Sequence, residues 1–152
     1  MVNYIHMKQT PPGWPRLSSA LFYNDASAAI DWLCQAFGFS VRLKVEGEAG
    51  RIEHSELTYG DALIMVAQAG QKPGREHMPP GLSPASANGN TQCLLLFVDD
   101  VDAHCAHARA NGATIIDDPK VHDYGEDYWA DRSYGATDCE GHMWWFTQRL
   151  RG

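Results

Sequence analysis

No apolar run in this chain approaches the roughly 18 residues that a membrane-crossing helix needs. The start, MVNYIHMKQTPPGWP, lacks the apolar core of a secretory signal. A cytoplasmic location is the expectation that follows. The four cysteines, Cys34, Cys93, Cys105 and Cys139, form no CxxC pair and no zinc-ligand spacing. Cys34, Cys93 and Cys105 sit inside apolar patterns and read as buried free thiols. Positive charge is scarce: 12 Lys and Arg face 19 Asp and Glu, a net charge of −7. Nucleic acid is excluded as an expected partner, because phosphate contacts need clustered cations. Gly-rich phosphate loops, nucleophile elbows and HExxH motifs are absent as well.

What is present is a patterned globular sequence, 44% hydrophobic over 152 residues. Residues 1–16 read as an irregular arm, because Pro11, Pro12 and Pro15 forbid a regular helix. Residues 68–90 are a Pro/Gly-rich linker between two similar halves, 17–67 and 91–150. The first half contains Phe22-Tyr23-Asn24-Asp25, then an Ala-rich helix ending at Phe37-Gly38. The second contains Phe97-Val98-Asp99-Asp100, then an Ala-rich helix ending at Asn111-Gly112. In both, an apolar strand ends at an Asx residue able to cap a helix, and glycine closes that helix.

Ala26, Ala29, Ile30, Leu33 and Phe37 share one helix face, as do Val101, Cys105 and Ala108. His104 and His107 lie three apart at and beyond the edge of that second face and read as a solvated pair rather than a metal site. The remaining segments read as strands: 17–23, 39–46, 51–59 and 62–67, then 92–98, 113–117, 128–137 and 142–148. Gly60-Asp61 and Glu140-Gly141 mark the last turn of each half. The predicted fold is α+β: two βαβββ modules forming a curved, partly closed mixed sheet with helices on the outside.

This punctuation resembles the vicinal oxygen chelate superfamily, which contains glyoxalases, bleomycin resistance proteins and dioxygenases. Ala29-Ile30-Asp31-Trp32 with Phe37-Gly38, His54-Ser55-Glu56-Leu57 with Gly60-Asp61, and Trp129-Ala130-Asp131-Arg132 leading to Asp138-Cys139-Glu140-Gly141-His142 look most like its PhnB-like branch. The resemblance implies a concave pocket in which metal-using members place one His, Gln or Glu on the first and last strand of each module. The matching positions here are Ser18, Met65, Cys93 and Trp145. That set offers no carboxylate or imidazole, so the expectation is no metal cofactor. The rival is a metal-dependent lyase, isomerase or dioxygenase with non-standard ligands such as His54, Glu56 or His142.

By the same resemblance, His54, Glu56 and Thr58 face the concavity while Ser55, Leu57 and Tyr59 face the helix. His54 and Glu56 can act as a base with an orienting carboxylate, grip a polar ligand, or form an inert polar strand face. Trp129, Arg132 and Trp145 complete the predicted ligand site. Trp129 and Trp145 read equally as pocket or core, Trp144 and Phe146 as core, and Tyr128 and Tyr134 as strand surface. Cys93 reads as an inert thiol rather than a nucleophile, since nothing near it in sequence lowers its pKa. The expected partners are a small organic molecule and a second copy of the chain, since exposed sheet edges tend to be paired.

Overall fold

A computed structural model describes residues 7–152. Of the predicted N-terminal arm, residues 1–6 lie outside the described residues, and 7–18 carry no helix or strand. The first module runs β1 (Ser19–Tyr23), α1 (Ala26–Phe37), β2 (Ser40–Glu46), β3 (Ile52–Tyr59) and β4 (Ala62–Gln68). A short helix, α2 (Pro84–Ala87), follows. The second module is β5 (Cys93–Phe97), α3 (Val101–Ala110), β6 (Thr114–Asp123), β7 (Ala130–Thr137) and β8 (Met143–Arg151). Each module builds one four-stranded sheet, in the orders β1-β4-β3-β2 and β5-β8-β7-β6. The first strand of each pairs in parallel with the last, and the other pairs are antiparallel. The α+β architecture of two βαβββ modules is therefore present, as two mixed sheets that do not close into one.

The helices form where the Asx caps place them. Asp25 accepts from Ala28 N at 3.0 Å, and Asp100 accepts from Ala103 N at 3.0 Å. Gly38, at φ 82°, adopts the left-handed conformation that ends α1. The predicted apolar faces are buried: Ala26, Ala29, Ile30, Leu33 and Phe37 in α1, and Val101, Cys105 and Ala108 in α3. They cover one face of each sheet and join a single core spanning both modules. Phe37 is its hinge, with ring centroids 4.7 Å from Phe146, 5.4 Å from Trp144 and 4.9 Å from Trp32.

Several expectations need correction. Tyr134 is fully buried, not a surface residue. His104 is half-buried rather than solvated: its Nε2 lies 3.0 Å from the Phe37 carbonyl and its Nδ1 2.6 Å from the Tyr134 hydroxyl. His107, though exposed, is tied to the Gln35 carbonyl at 2.7 Å. Both histidines therefore join α3 to α1. Cys93 is exposed and Cys34 half-buried, and only Cys105 of the three is a buried thiol; all four cysteines are free. β6 continues six residues beyond the expected end, through Pro119. A proline is tolerated there because β6 is an edge strand whose register slips between Asp117 and Lys120.

The modules are fastened at one end by the turn between β7 and β8. Asp138 accepts from the Tyr23 hydroxyl at 2.6 Å and Trp144 Nε1 at 3.0 Å, and from the backbone N–H groups of Glu140 and His142. Glu140 accepts from the backbone N–H groups of Asn24 and Asp25 and from the Ser83 hydroxyl. The Pro/Gly-rich linker is ordered against this end. Its α2 starts with Ser83 as cap and Pro84 in the first turn. A lone bridge, Gly70 with Gly81, folds the preceding stretch into a strap over β1. A Cβ on Gly81 would lie 2.1 Å from the Phe22 ring, so only glycine lets the strap pass.

Candidate functional site

Strand alternation gives each sheet a face turned away from its helix. On the second sheet, Leu95 and Phe97 of β5, Asp131 and Ser133 of β7, and Trp145, Thr147 and Arg149 of β8 share that face. The opposite face carries Tyr134, Trp144 and Phe146, all sealed in the core. A hollow of about 300 Å³ opens on the free face. Trp145 and Leu95 form its apolar wall. Ser133 and Thr147, hydroxyl to hydroxyl at 3.0 Å, form its polar floor, with Asp131 beside them. His122 and Tyr124 of the edge segment close one side.

Gly135 explains how the indole reaches this position. It pairs across the ladder with Trp145. An added Cβ would meet Trp145 Cζ3 at 3.2 Å and Cη2 at 3.3 Å, so the ring rests on backbone that any larger residue would occupy. The ring is half-buried, open to the hollow on one side.

Beyond the hollow lies a second layer. Arg149 pairs with Asp131 and sits 5.5 Å from the Phe97 ring centroid and 5.4 Å from that of Trp129. This cation between two rings orients Asp131 and neutralises much of its charge. Leu95 and Phe97 are 58% and 53% exposed, so this sheet face presents large apolar groups to solvent.

The five predicted site residues do not meet in one pocket. Trp145 lines the hollow and Trp129, 40% exposed, belongs to its outer layer. Arg132 stands on the other face of β7, where it grips Asp102 of α3 through two hydrogen bonds of 2.8 Å. This pairing holds the Asp102 carboxyl below its usual range and keeps Arg132 on the helix side. His54 and Glu56 lie on the first sheet, on the face predicted. His54 Nε2 is 3.0 Å from Glu56 Oε1, and Arg42 Nε is 3.3 Å from Glu56 Oε2. Arg42 also donates to the Gly13 and Pro12 carbonyls at 2.7 and 3.1 Å, so the arm, Glu56 and His54 form one polar chain.

The residues that reasoning from sequence overlooked are Asp131, Ser133, Thr147 and Arg149. The signal was available: counting by twos from Trp145 along β8 and across to β7 reaches all four.

Of the four positions matched to metal ligands, Met65, Cys93 and Trp145 fall on the free faces of their sheets, and Ser18 immediately precedes β1. Their chemistry remains that of a hydroxyl, a thioether, a thiol and an indole. The Ser18 hydroxyl is already donated to the Leu63 carbonyl at 2.7 Å. These groups do not fit a divalent metal of the kind the fold implies. His142, offered as a substitute ligand, is buried; its Nε2 donates to the Phe22 carbonyl at 2.8 Å and its ring lies against Tyr23. Among the described residues, no three His, Cys, Asp or Glu side chains converge as metal ligands would.

Comparison with known proteins places this architecture. The family model of the glyoxalase/bleomycin resistance protein/dioxygenase superfamily matches residues 17–146. An uncharacterised protein of Mycobacterium bovis is 30% identical over 90% of this chain and 85% of its own length. The crystal structure of TioX from a Micromonospora species is similar at a TM-score of 0.65, with 30% identity over 88% of this chain and 95% of that one. A superfamily protein from Nocardioides, 13% identical, shares the fold at a TM-score of 0.64 over 91% of this chain and 86% of its own. By family model, relative and fold alike, the chain belongs to the glyoxalase/bleomycin resistance protein/dioxygenase superfamily.

Proposed function

We propose that this protein binds a flat, polar organic molecule on the free face of its second sheet, without a metal, as a binding or sequestering protein in the bleomycin-resistance manner. One observation carries the reading: the Trp145 indole lies on Gly135, facing a hollow whose floor is Ser133, Thr147 and Asp131. An exposed aromatic plane beside fixed donors and acceptors suits stacking of a planar ring with polar substituents. The donor set at the superfamily's ligand positions supports binding over metal chemistry. On this reading the protein is a PhnB-like member acting in the cytoplasm. It works as a homodimer, in which a second copy covers Leu95 and Phe97. His54 and Glu56 lie apart from this hollow, and we assign them a separate polar contact on the first sheet rather than proton transfer, since Arg42 already occupies the carboxylate.

The test uses two flat probes, the cation proflavine and the anion 9-anthracenecarboxylate, read by tryptophan quenching and thermal shift. A ligand of the native state raises the melting temperature. At least one probe should bind, and Trp145→Ala should weaken it by about 1–3 kcal/mol, the value of an aromatic contact area. Binding that survives Trp145→Ala unchanged, or no binding of either probe, would refute the site. One equivalent of tightly held divalent metal in untagged protein would refute the metal-free reading.

A further inference from the structure

The first sheet carries a hollow unrelated to the Trp145 site. It has a volume of about 160 Å³ and lies between the strap and the ends of β1, β3 and β4. Phe22, Ile52, Ala67, Met78 and Pro79 supply apolar wall. Arg51, Lys72 and Arg75 converge on it from β3's approach and from the strap, against one carboxylate, that of Glu53. In a chain of net charge −7 this is a local reversal of sign.

These cations are incompletely used. Arg51 Nε is sealed from solvent and has no hydrogen-bond partner among the described residues; its nearest carboxylate oxygen, from Glu53, is 3.7 Å away. Lys72 Nζ donates to the Glu53 carbonyl at 3.2 Å and lies 3.9 Å from a Glu53 carboxylate oxygen. The Arg75 guanidinium joins no ion pair among the described residues, yet its backbone is held. Gln71 Nε2 donates to the Arg75 carbonyl at 2.8 Å and the Met78 carbonyl at 3.2 Å, stapling the strap loop. The Gly70–Gly81 bridge closes its base. A buried donor without a partner is costly, and cations held around an apolar hollow by an ordered loop are preorganised for an anion.

We propose that this hollow is a second binding site, for a small organic anion. The ligand would be a carboxylate or phosphate ester with a short apolar body, its charge on Arg51, Lys72 and Arg75 and its body against Phe22 and Met78. The volume is below the roughly 300 Å³ at which drug-sized sites begin, so a larger ligand does not fit. Arginine matches both headgroups through paired N–H donors.

The probes are hexanoate and butyl phosphate, with hexanol as an uncharged body of the same length. Titration followed by backbone amide NMR should shift residues Gly70–Gly81, at least about tenfold more tightly for one anion than for hexanol. Which anion wins identifies the headgroup. The double variant K72Q/R75Q changes one half-buried and one exposed side chain, with glutamine still able to donate to the Glu53 carbonyl, and should keep the melting temperature while losing about tenfold or more in affinity. Trp145→Ala should leave this binding unchanged, separating it from the function proposed above. Equal affinity for hexanol, shifts elsewhere than the strap, or full affinity in K72Q/R75Q would overturn the proposal.

Discussion

Asp138 shows how much one residue can hold. Its carboxylate accepts four hydrogen bonds, two from the buried side chains of Tyr23 and Trp144. Burial and the neighbouring Asp138 charge both raise the Tyr23 phenol, so the hydroxyl stays protonated and donating. Asp138→Ala should cost about 2–4 kcal/mol, because two buried donors lose their acceptor. Chemical denaturation measures this, and a cost below that of an ordinary surface change would contradict the account. His104 offers a test by pH. A carbonyl only accepts, so Nε2 carries the proton to Phe37 and neutral Nδ1 accepts from Tyr134. Burial lowers the His104 pKa beneath its ordinary 6.5. The unfolded chain therefore takes up this proton first as pH falls, and the native state loses stability below that pH. His104→Gln keeps a donor and an acceptor without titrating. The fall in melting temperature between about pH 7 and pH 5 should be smaller in that variant than in the parent protein.

At the scale of elements, the strap depends on a glycine that φ does not require. Gly81 is glycine because Phe22 stands where a Cβ would go. Gly81→Ala should destabilise the protein by about 1–3 kcal/mol, the cost of overpacking, with amide exchange accelerated first in the strap. An unchanged melting temperature would contradict this close approach of the strap to Phe22. The same stretch marks the limit of reading from sequence. Asx caps, closing glycines and apolar periodicity made α1, α3 and the places of all eight strands legible, because these signals are local. The burial of His104 comes from the other module's Phe37, and that of Tyr134 from His104 and Phe146 packed beside it, contacts that no local pattern announces. Arg132 took a place on the helix side through Asp102, thirty residues away, a pairing no periodicity announces. β6 outran its expected end because proline tolerance depends on edge position, which is a property of the sheet.

For the whole molecule, the apolar free face of the second sheet is the feature most at odds with a solitary chain. Leu95, Phe97 and Trp129 stay open beside a neutralised Asp131–Arg149 pair. The homodimer proposed above covers such a face, and light scattering at micromolar concentration should give twice the 16.9 kDa protomer mass. Leu95→Glu with Phe97→Glu should then return the protomer mass, whereas a monomeric parent protein would dismiss the dimer.

The clasp at Glu140 bears on how two like halves became one protein. The turn of the second module closes over the start of α1 in the first, through Asn24 N and Asp25 N. The start of α3 is served differently, by the Gln148 side chain on Val101 N. The halves share a topology, yet only the start of α1 is held by the other half. A chain made by repeating either half would have a clasp with nothing to hold, or a helix start with nothing to hold it. If the pair arose by duplication, its copies have passed the point where one can replace the other, and their histories are no longer interchangeable.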